Sequence, residues 1–324
     1  MSAPSRASSP FTERGVAVIM AMLTVALVAA LAASVVSSFA FAVDSLSGRH
    51  DLAQARQLAH GAIDWARNIL ADDFRREGNN HVDYLGEAWA TKVPATPVDE
   101  GELSGEIEDL SGHFNLNSLI NSNGERNSTG IENFVRLLGE FAVSASQAQQ
   151  LANNLAAWED KAAQSADSFV PALSSNSPQP PNAPLISPDE LTNVPGFDAE
   201  LVERLRPYVA ALPTTVETGA TAVTALNVNT ASAEVLYSVM PAIGLQGARA
   251  LVSERTSKYF ATTDDFKARF KAKAGTDAPE SGWAVNSNFF LASGRAKYGT
   301  ATTRMQVMLY RASAWPQILW QKIL

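Results

Sequence analysis

The sequence predicts an α+β protein: one long N-terminal helix packed on a small antiparallel sheet, with a large α-helical insertion interrupting the sheet. Three observations predict it. Residues Val16 to Val43 form 28 consecutive positions without a formal charge, and an amphipathic stripe follows directly. Segments of strand period stand near residue 101 and again from Ser287 onward. Between them, from about 120 to 280, apolar residues cluster at helical spacing, so the sheet reads as one unit split by a helical block.

The chain has 324 residues, 46% hydrophobic and 18% charged, enough for one large core or two smaller ones. A net charge of −8 argues against broad nucleic-acid binding, which needs a positive surface to displace counterions. The absence of cysteine excludes disulfides and thiolate metal sites. The compartment is therefore read from the N-terminus.

As a helix, the uncharged run is roughly 42 Å long, more than the ~30 Å of hydrocarbon it must cross. A helix satisfies every backbone polar group internally, as lipid requires. Arg6 and Arg14 against Glu13 leave a positive excess that keeps the preceding leader cytoplasmic and sends the rest of the chain across. A cleaved secretory signal ending at Ala40-Phe41-Ala42 is a competing reading, but such signals have apolar regions of about 7–15 residues. A plain uncleaved anchor differs only in what happens at Gly15.

Past Asp44, Leu52, Ala55, Ala59, Ile63, Ala66, Leu70 and Phe74 recur at three- and four-residue steps, with Arg49, Asp51, Arg56, Asp64, Arg67 and Asp72 largely off that stripe. The same helix is expected to leave the membrane, lay one face on a globular body and stop at Gly78-Asn79-Asn80. Gly101 to Leu119 reads as strand, turn and ordered loop, with Leu103, Ile107 and Leu110 facing a core. Ile131, Phe134, Val135, Leu137 and Leu138 form one helical cluster, and Leu151, Leu155 and Trp158 another. Pro171 to Pro188 is too rich in proline and serine for a regular element. Ser287–Tyr298 and Thr303–Ser313 alternate as strands around Gly299, with Pro316–Leu324 as a third.

Glu13-Arg14-Gly15 followed by Val16-Ala17-Val18-Ile19-Met20 resembles the leader and cleavage site of prepilins. The resemblance implies a cut between Gly15 and Val16 by the prepilin peptidase and methylation of the new Val16 amine. Most pilin-like subunits carry glutamate at the fifth position after the cut, where this chain has Met20. A carboxylate at that depth is costly unless paired, and in the family its partner is the N-terminal amine of an adjacent subunit. The K-type minor pseudopilins of type II secretion share the omission. Asp109 to Leu119, Asp-Leu-Ser-Gly-His-Phe-Asn-Leu-Asn-Ser-Leu, closely resembles a signature of that type, its asparagines closing backbone turns.

The resemblance to the general secretion pathway protein K family covers nearly the whole chain. It implies a leader (1–15), a transmembrane helix (16–43), its periplasmic continuation (44–78), a pilin-like α/β domain (79–119 and 283–324) and an inserted α-helical domain (120–282). The implied function is a non-enzymatic minor pseudopilin in the tip complex that initiates pseudopilus assembly. The implied partners are the I-type and J-type minor pseudopilins, the major pseudopilin, the prepilin peptidase and the inner-membrane platform. The implied location is the bacterial inner membrane, single-pass, with the C-terminal domain in the periplasm.

A membrane-anchored DNA-uptake receptor is the alternative. Val194-Pro195-Gly196-Phe197 and the segment around Ile243-Gly244, opened by Leu226-Asn227-Val228-Asn229-Thr230, resemble helix-hairpin-helix units, whose exposed amides grip phosphate. Residues 221–275 carry seven basic residues against four acidic ones. Against it, Asp198 stands where the first hairpin's second glycine belongs, and Ala242 replaces the first glycine of the second. Thr230 as a helix N-cap with Glu234 in the opening turn accounts for the second motif structurally.

The K family is also similar in holding calcium in a carboxylate-rich loop after a Trp-X-Asp motif. That resemblance points to Asp160 and Asp167, with Glu159 if it turns inward, although Lys161 opposes a cation. Asn121-Ser122-Asn123-Gly124-Glu125 reads as a turn. His50, His60, His81 and His113 lack zinc spacing, and no phosphate loop, nucleophile elbow or dinucleotide fingerprint occurs, so the chain is read as a non-enzyme.

Overall fold

The computed structural model describes residues 10–78, 81–98, 101–160, 182–213 and 224–324. In chain order the elements are α1 (Pro10–Glu77), β1 (Val93–Val98), β2 (Gly101–Asp109), β3 (Phe114–Asn115), α2 (Ser128–Gly139), α3 (Ala145–Glu159), α4 (Ala199–Leu205), β4 (Val209–Ala210), β5 (Leu226–Asn227), α5 (Ala233–Val239), α6 (Gly244–Ser257), α7 (Thr263–Ala274), β6 (Trp283–Ala284), β7 (Phe289–Tyr298), β8 (Ala301–Tyr310) and β9 (Gln317–Ile323).

α1 is a single 68-residue helix, roughly 100 Å long at the usual rise. Its uncharged portion stands exposed among the described residues: Val16, Leu23, Val35 and Phe41 are all more than half exposed. The stripe then turns inward. Ala55, Ala59, Ile63, Ala66 and Leu70 are buried, while Leu52 and Phe74 are half-buried. The small residues set the helix close on the sheet, and a Cβ added at Gly294 would stand 3.1 Å from that of Ala62. Ile63 and Leu70 meet Trp89, Phe290, Met305, Val307 and Leu309 in the sheet core. Gly78, at φ +62°, follows the last helical residue with a backbone turn that favours glycine; Asn79 and Asn80 lie outside the described residues.

The sheet is antiparallel in the order β1-β2-β7-β8-β9. β1 is absent from the sequence reading because Pro94 and Pro97 mask it. Proline removes a ladder donor and is tolerated at a sheet edge, where this strand lies. β2 pairs with β7 so that Asp109 faces Phe290, and the helical insertion therefore leaves and re-enters at one end of the sheet.

Within the insertion, Phe134, Leu137, Leu138, Leu151, Leu155 and Trp158 join Phe260, Phe266 and Trp283 in one continuous core. Two very short parallel pairings, β3 with β4 and β5 with β6, close its two lobes. Strands of two residues have no readable period, so the sequence announces neither. The proline-rich stretch needs one correction. Pro188 opens a 3₁₀ turn, Pro188–Asn193, capped by Ser187 and Glu190, because proline suits the first helical position where no donor is needed. Residues 171–181 lie outside the described residues.

Candidate functional site

Gly15 and Val16 lie within the uninterrupted α1, a turn and more beyond its start at Pro10, with open space around Gly15. Met20 is 60% exposed on the same rod. The exposed, uncharged helix is long and apolar enough to cross a membrane once.

The signature Asp109–Leu119 occupies the junction of sheet and insertion. Asp109 is 4% exposed. Its Oδ1 accepts from Ser111 N at 2.8 Å, and its Oδ2 accepts from Thr230 Oγ1 (2.5 Å), Ser287 Oγ (2.6 Å) and Asn227 Nδ2 (3.1 Å). Burial pushes its carboxyl above the usual range, and the Ser287, Thr230 and Ser111 donors oppose that rise. Beside it Asp83, fully buried, accepts from Ser287 N at 2.7 Å and pairs with the Arg311 guanidinium, which also donates to Asp73 at 2.8 Å. Thr230 is thus not the helix cap expected of it. Ser232 caps α5 by accepting from Val235 N at 3.2 Å, while the Thr230 hydroxyl belongs to Asp109.

The asparagines act as predicted in the signature, and a second set repeats them. Asn115 Oδ1 accepts from Asn117 N at 3.1 Å, and Asn227 Oδ1 accepts from Asn229 N at 2.9 Å. Asn117 then clasps the backbone of Leu185, accepting from its N at 2.8 Å and donating to its O at 2.9 Å. Asn229 clasps Phe260 in the same way, at 2.8 and 3.0 Å. Each lobe of the insertion is stitched by an apolar-Asn-apolar-Asn run at a short parallel strand. The repetition of Phe114-Asn115-Leu116-Asn117 in Leu226-Asn227-Val228-Asn229 is the signal that could have revealed this second set.

The hairpin geometry disfavours a phosphate cradle in the first copy. Asp198 caps α4, accepting from Leu201 N at 2.7 Å, so a carboxylate already occupies the amide end of the helix. Gly196 there has φ +94°, and Gly244 in the second copy +66°.

Glu159, read as a ligand only if it turned inward, does turn inward. It is 3% exposed, and among the described residues neither carboxylate oxygen has a hydrogen-bond partner. Burial, reinforced by Glu190, pushes it up to about 8. It lines a cavity of about 230 Å³ together with Asn117, Ile120, Pro184 and the turn Asn121–Gly124. Two stretches read separately in the sequence thereby meet. Asp160 at the end of α3 faces Arg126 at 3.5 Å instead, and Asp167 and Lys161 lie outside the described residues. A second acidic group, Asp73, Asp83 and Glu87, has its counter-charge in Arg311, which pairs with Asp73 and Asp83.

Fold and site define a membrane-anchored, pilin-like subunit with a helical insertion clasped to its sheet. Profiles described as type II secretion system (T2SS), protein K, match residues 112–214 and 226–286, one to each lobe. Type II secretion system protein K of Pseudomonas aeruginosa is 32% identical, over 86% of this chain and 83% of that protein. The Aeromonas hydrophila protein is 29% identical over 80% of this chain and 81% of its own. In the crystal structure of the GspK-GspI-GspJ complex from the enterotoxigenic Escherichia coli type 2 secretion system, one chain shares the fold. Its TM-score is 0.69 at 23% identity, covering 86% of this chain and 99% of that one. The chain belongs to the type II secretion system protein K family and is a minor pseudopilin, anchored by a single membrane helix.

Proposed function

We propose that this subunit stands at the tip of a pseudopilus and initiates its assembly, in complex with I-type and J-type minor pseudopilins; the related Escherichia coli structure is likewise a complex of GspK with GspI and GspJ. The observation that carries the reading is Met20. It sits on a lone, uncharged helix at the position where the resemblance places an assembly glutamate. A subunit with nothing above it has no amine to pair with such an acid, and an unpaired carboxylate in lipid is unfavourable. The prepilin peptidase cuts between Gly15 and Val16 and methylates Val16. The platform at the inner membrane and the major pseudopilin then extend the filament beneath, with the folded domain in the periplasm. The unbroken α1 makes shaft and domain one body, so force on the rod reaches the insertion.

Mass spectrometry of the mature protein tests this. A methylated Val16 at the N-terminus is expected. An intact leader, or a start near Val43, overturns it.

We further infer that calcium is held at Glu159. The lining fits a hard cation: a buried carboxylate, unpartnered among the described residues, shares a cavity with the oxygen-rich turn Asn121–Gly124. Asp160, which pairs with Arg126 at 3.5 Å, and Asp167 are the further acids the resemblance offers. Bound calcium would supply the positive charge that Glu159 lacks. Excess calcium should raise the melting temperature of the wild type and leave Glu159→Gln unmoved. No rise in the wild type ends the reading.

A further inference from the structure

The outer face of the sheet, turned away from α1, sets opposite charges beside one another. Lys92 pairs with Glu106 at 2.5 Å, Glu102 stands opposite Lys297 in register, and Lys322 approaches Asp189 of the insertion at 3.7 Å. Arg295 and Arg304 break the pattern. They lie directly opposite each other on β7 and β8, both exposed, and among the described residues neither has an ion-pair partner. Their strand neighbours fix the direction. Gly294 and Ala296 face α1, and Thr303 and Met305 are buried, so both guanidinium groups point outward. Like charges directly opposed across a sheet are destabilising, and here they persist in a chain of net charge −8. The pair lines an open groove of about 380 Å³ with Lys92, Ser104, Gln306 and Leu324; Glu106 lines it too, its carboxylate held by Lys92.

The height of the pair identifies what can reach it. Asp51, eight residues past the uncharged run, accepts from Thr300 N and Oγ1, both at 3.0 Å, and so holds the β7–β8 turn about 12 Å from the end of that run. The arginines stand about 10 Å further up the strands. That is beyond the headgroup layer, which adds only about 5–8 Å to each side of the hydrocarbon. It is also low in the domain, within reach of a neighbour anchored in the same membrane.

We propose that Arg295 and Arg304 form a docking point for a carboxylate-bearing segment on the extracytoplasmic domain of a neighbouring pilin-like subunit. An acidic partner relieves the repulsion and gains charge-assisted, two-pronged hydrogen bonds. The inference rests on the assembly with I-type and J-type subunits proposed above.

The test is tag capture of the full-length chain, co-expressed with the I-type and J-type subunits of its own system and extracted in mild detergent, at low and high salt. Wild type should recover both subunits less well as salt rises. R295E/R304E should lower recovery at least about tenfold, and R295K/R304K should retain most of it. Unfolding midpoints at or above that of the wild type show that the variants fold; if R295E/R304E fails this, R295Q/R304Q replaces it with the same expectation. Wild-type recovery by the folded reversed or neutralised variant overturns the docking point while leaving the assembly intact. No recovery by the wild type at any salt overturns the assembly itself. Lost binding to anionic vesicles with unchanged subunit recovery assigns the arginines to lipid and overturns the docking point.

Discussion

Asn229 is a side chain substituting for a strand. Its amide presents a donor and an acceptor to Phe260 as a backbone partner would, in a site 2% exposed. Asn229→Ala leaves the Phe260 N–H and C=O unpaired and away from water, which costs about 2–3 kcal/mol. The denaturant midpoint of the detergent-solubilised protein should fall accordingly, and a midpoint equal to wild type would contradict the clasp. Glu87 carries a pH dependence instead. Burial lifts its carboxyl from 4.5 to about 8, against the donors Tyr84 N and Trp89 Nε1 and with the help of Asp73 and Asp83. Its folded-state value lies above its unfolded one. The contribution to stability is therefore fully present below about pH 4.5 and is lost as pH rises through about 8. Glu87→Gln keeps an acceptor and removes the titration, so its melting temperature should decline less than that of the wild type between those limits. Parallel declines would exclude Glu87 as the source.

The β7–β8 hairpin shows how an element is pinned as well as formed. Gly299 turns at φ +52°, and a Cβ there would collide with Asp51 Oδ2, the atom that binds Thr300. Gly299→Ala combines backbone strain with loss of that tie, about 1–3 kcal/mol together, and should speed hydrogen exchange at the Thr300 amide while leaving the insertion's amides unchanged. This hairpin and α1 could be read in the sequence because each repeats its apolar residues over many positions, and β9 because Ile318, Leu319 and Trp320 form a short apolar run after Pro316. β1 could not, since its two prolines imitate a loop. The motif that names Gly15, Val16 and Met20 is contiguous, so it is found from the sequence without the fold. The inward turn of Glu159 and the polar junction were not: Asp83, Asp109, Asn227, Ser287 and Arg311 come from five separate stretches, and no local pattern reports that they meet.

At the scale of the molecule, Arg311 is where three parts become one. It donates to Asp73 and Leu70 O on α1, to Asp83 in the segment after it, and to Ser287 O at the insertion's return. Its side chain is fully buried. Removing only the cation strands Asp83 and weakens the hold of the rod on the domain, so Arg311→Met should cost about 3–5 kcal/mol. The acid is then the liability, and Asp83→Asn added to Arg311→Met should recover much of the loss, because the amide oxygen still accepts from Ser287 N without a buried charge. If the junction also couples sheet to insertion, the single variant should unfold in two calorimetric steps where the wild type and the double variant unfold in one. A single variant as stable as wild type would mean that apolar packing alone joins the parts. Force delivered through α1 would then reach the insertion by hydrophobic contact, with no polar hinge between them.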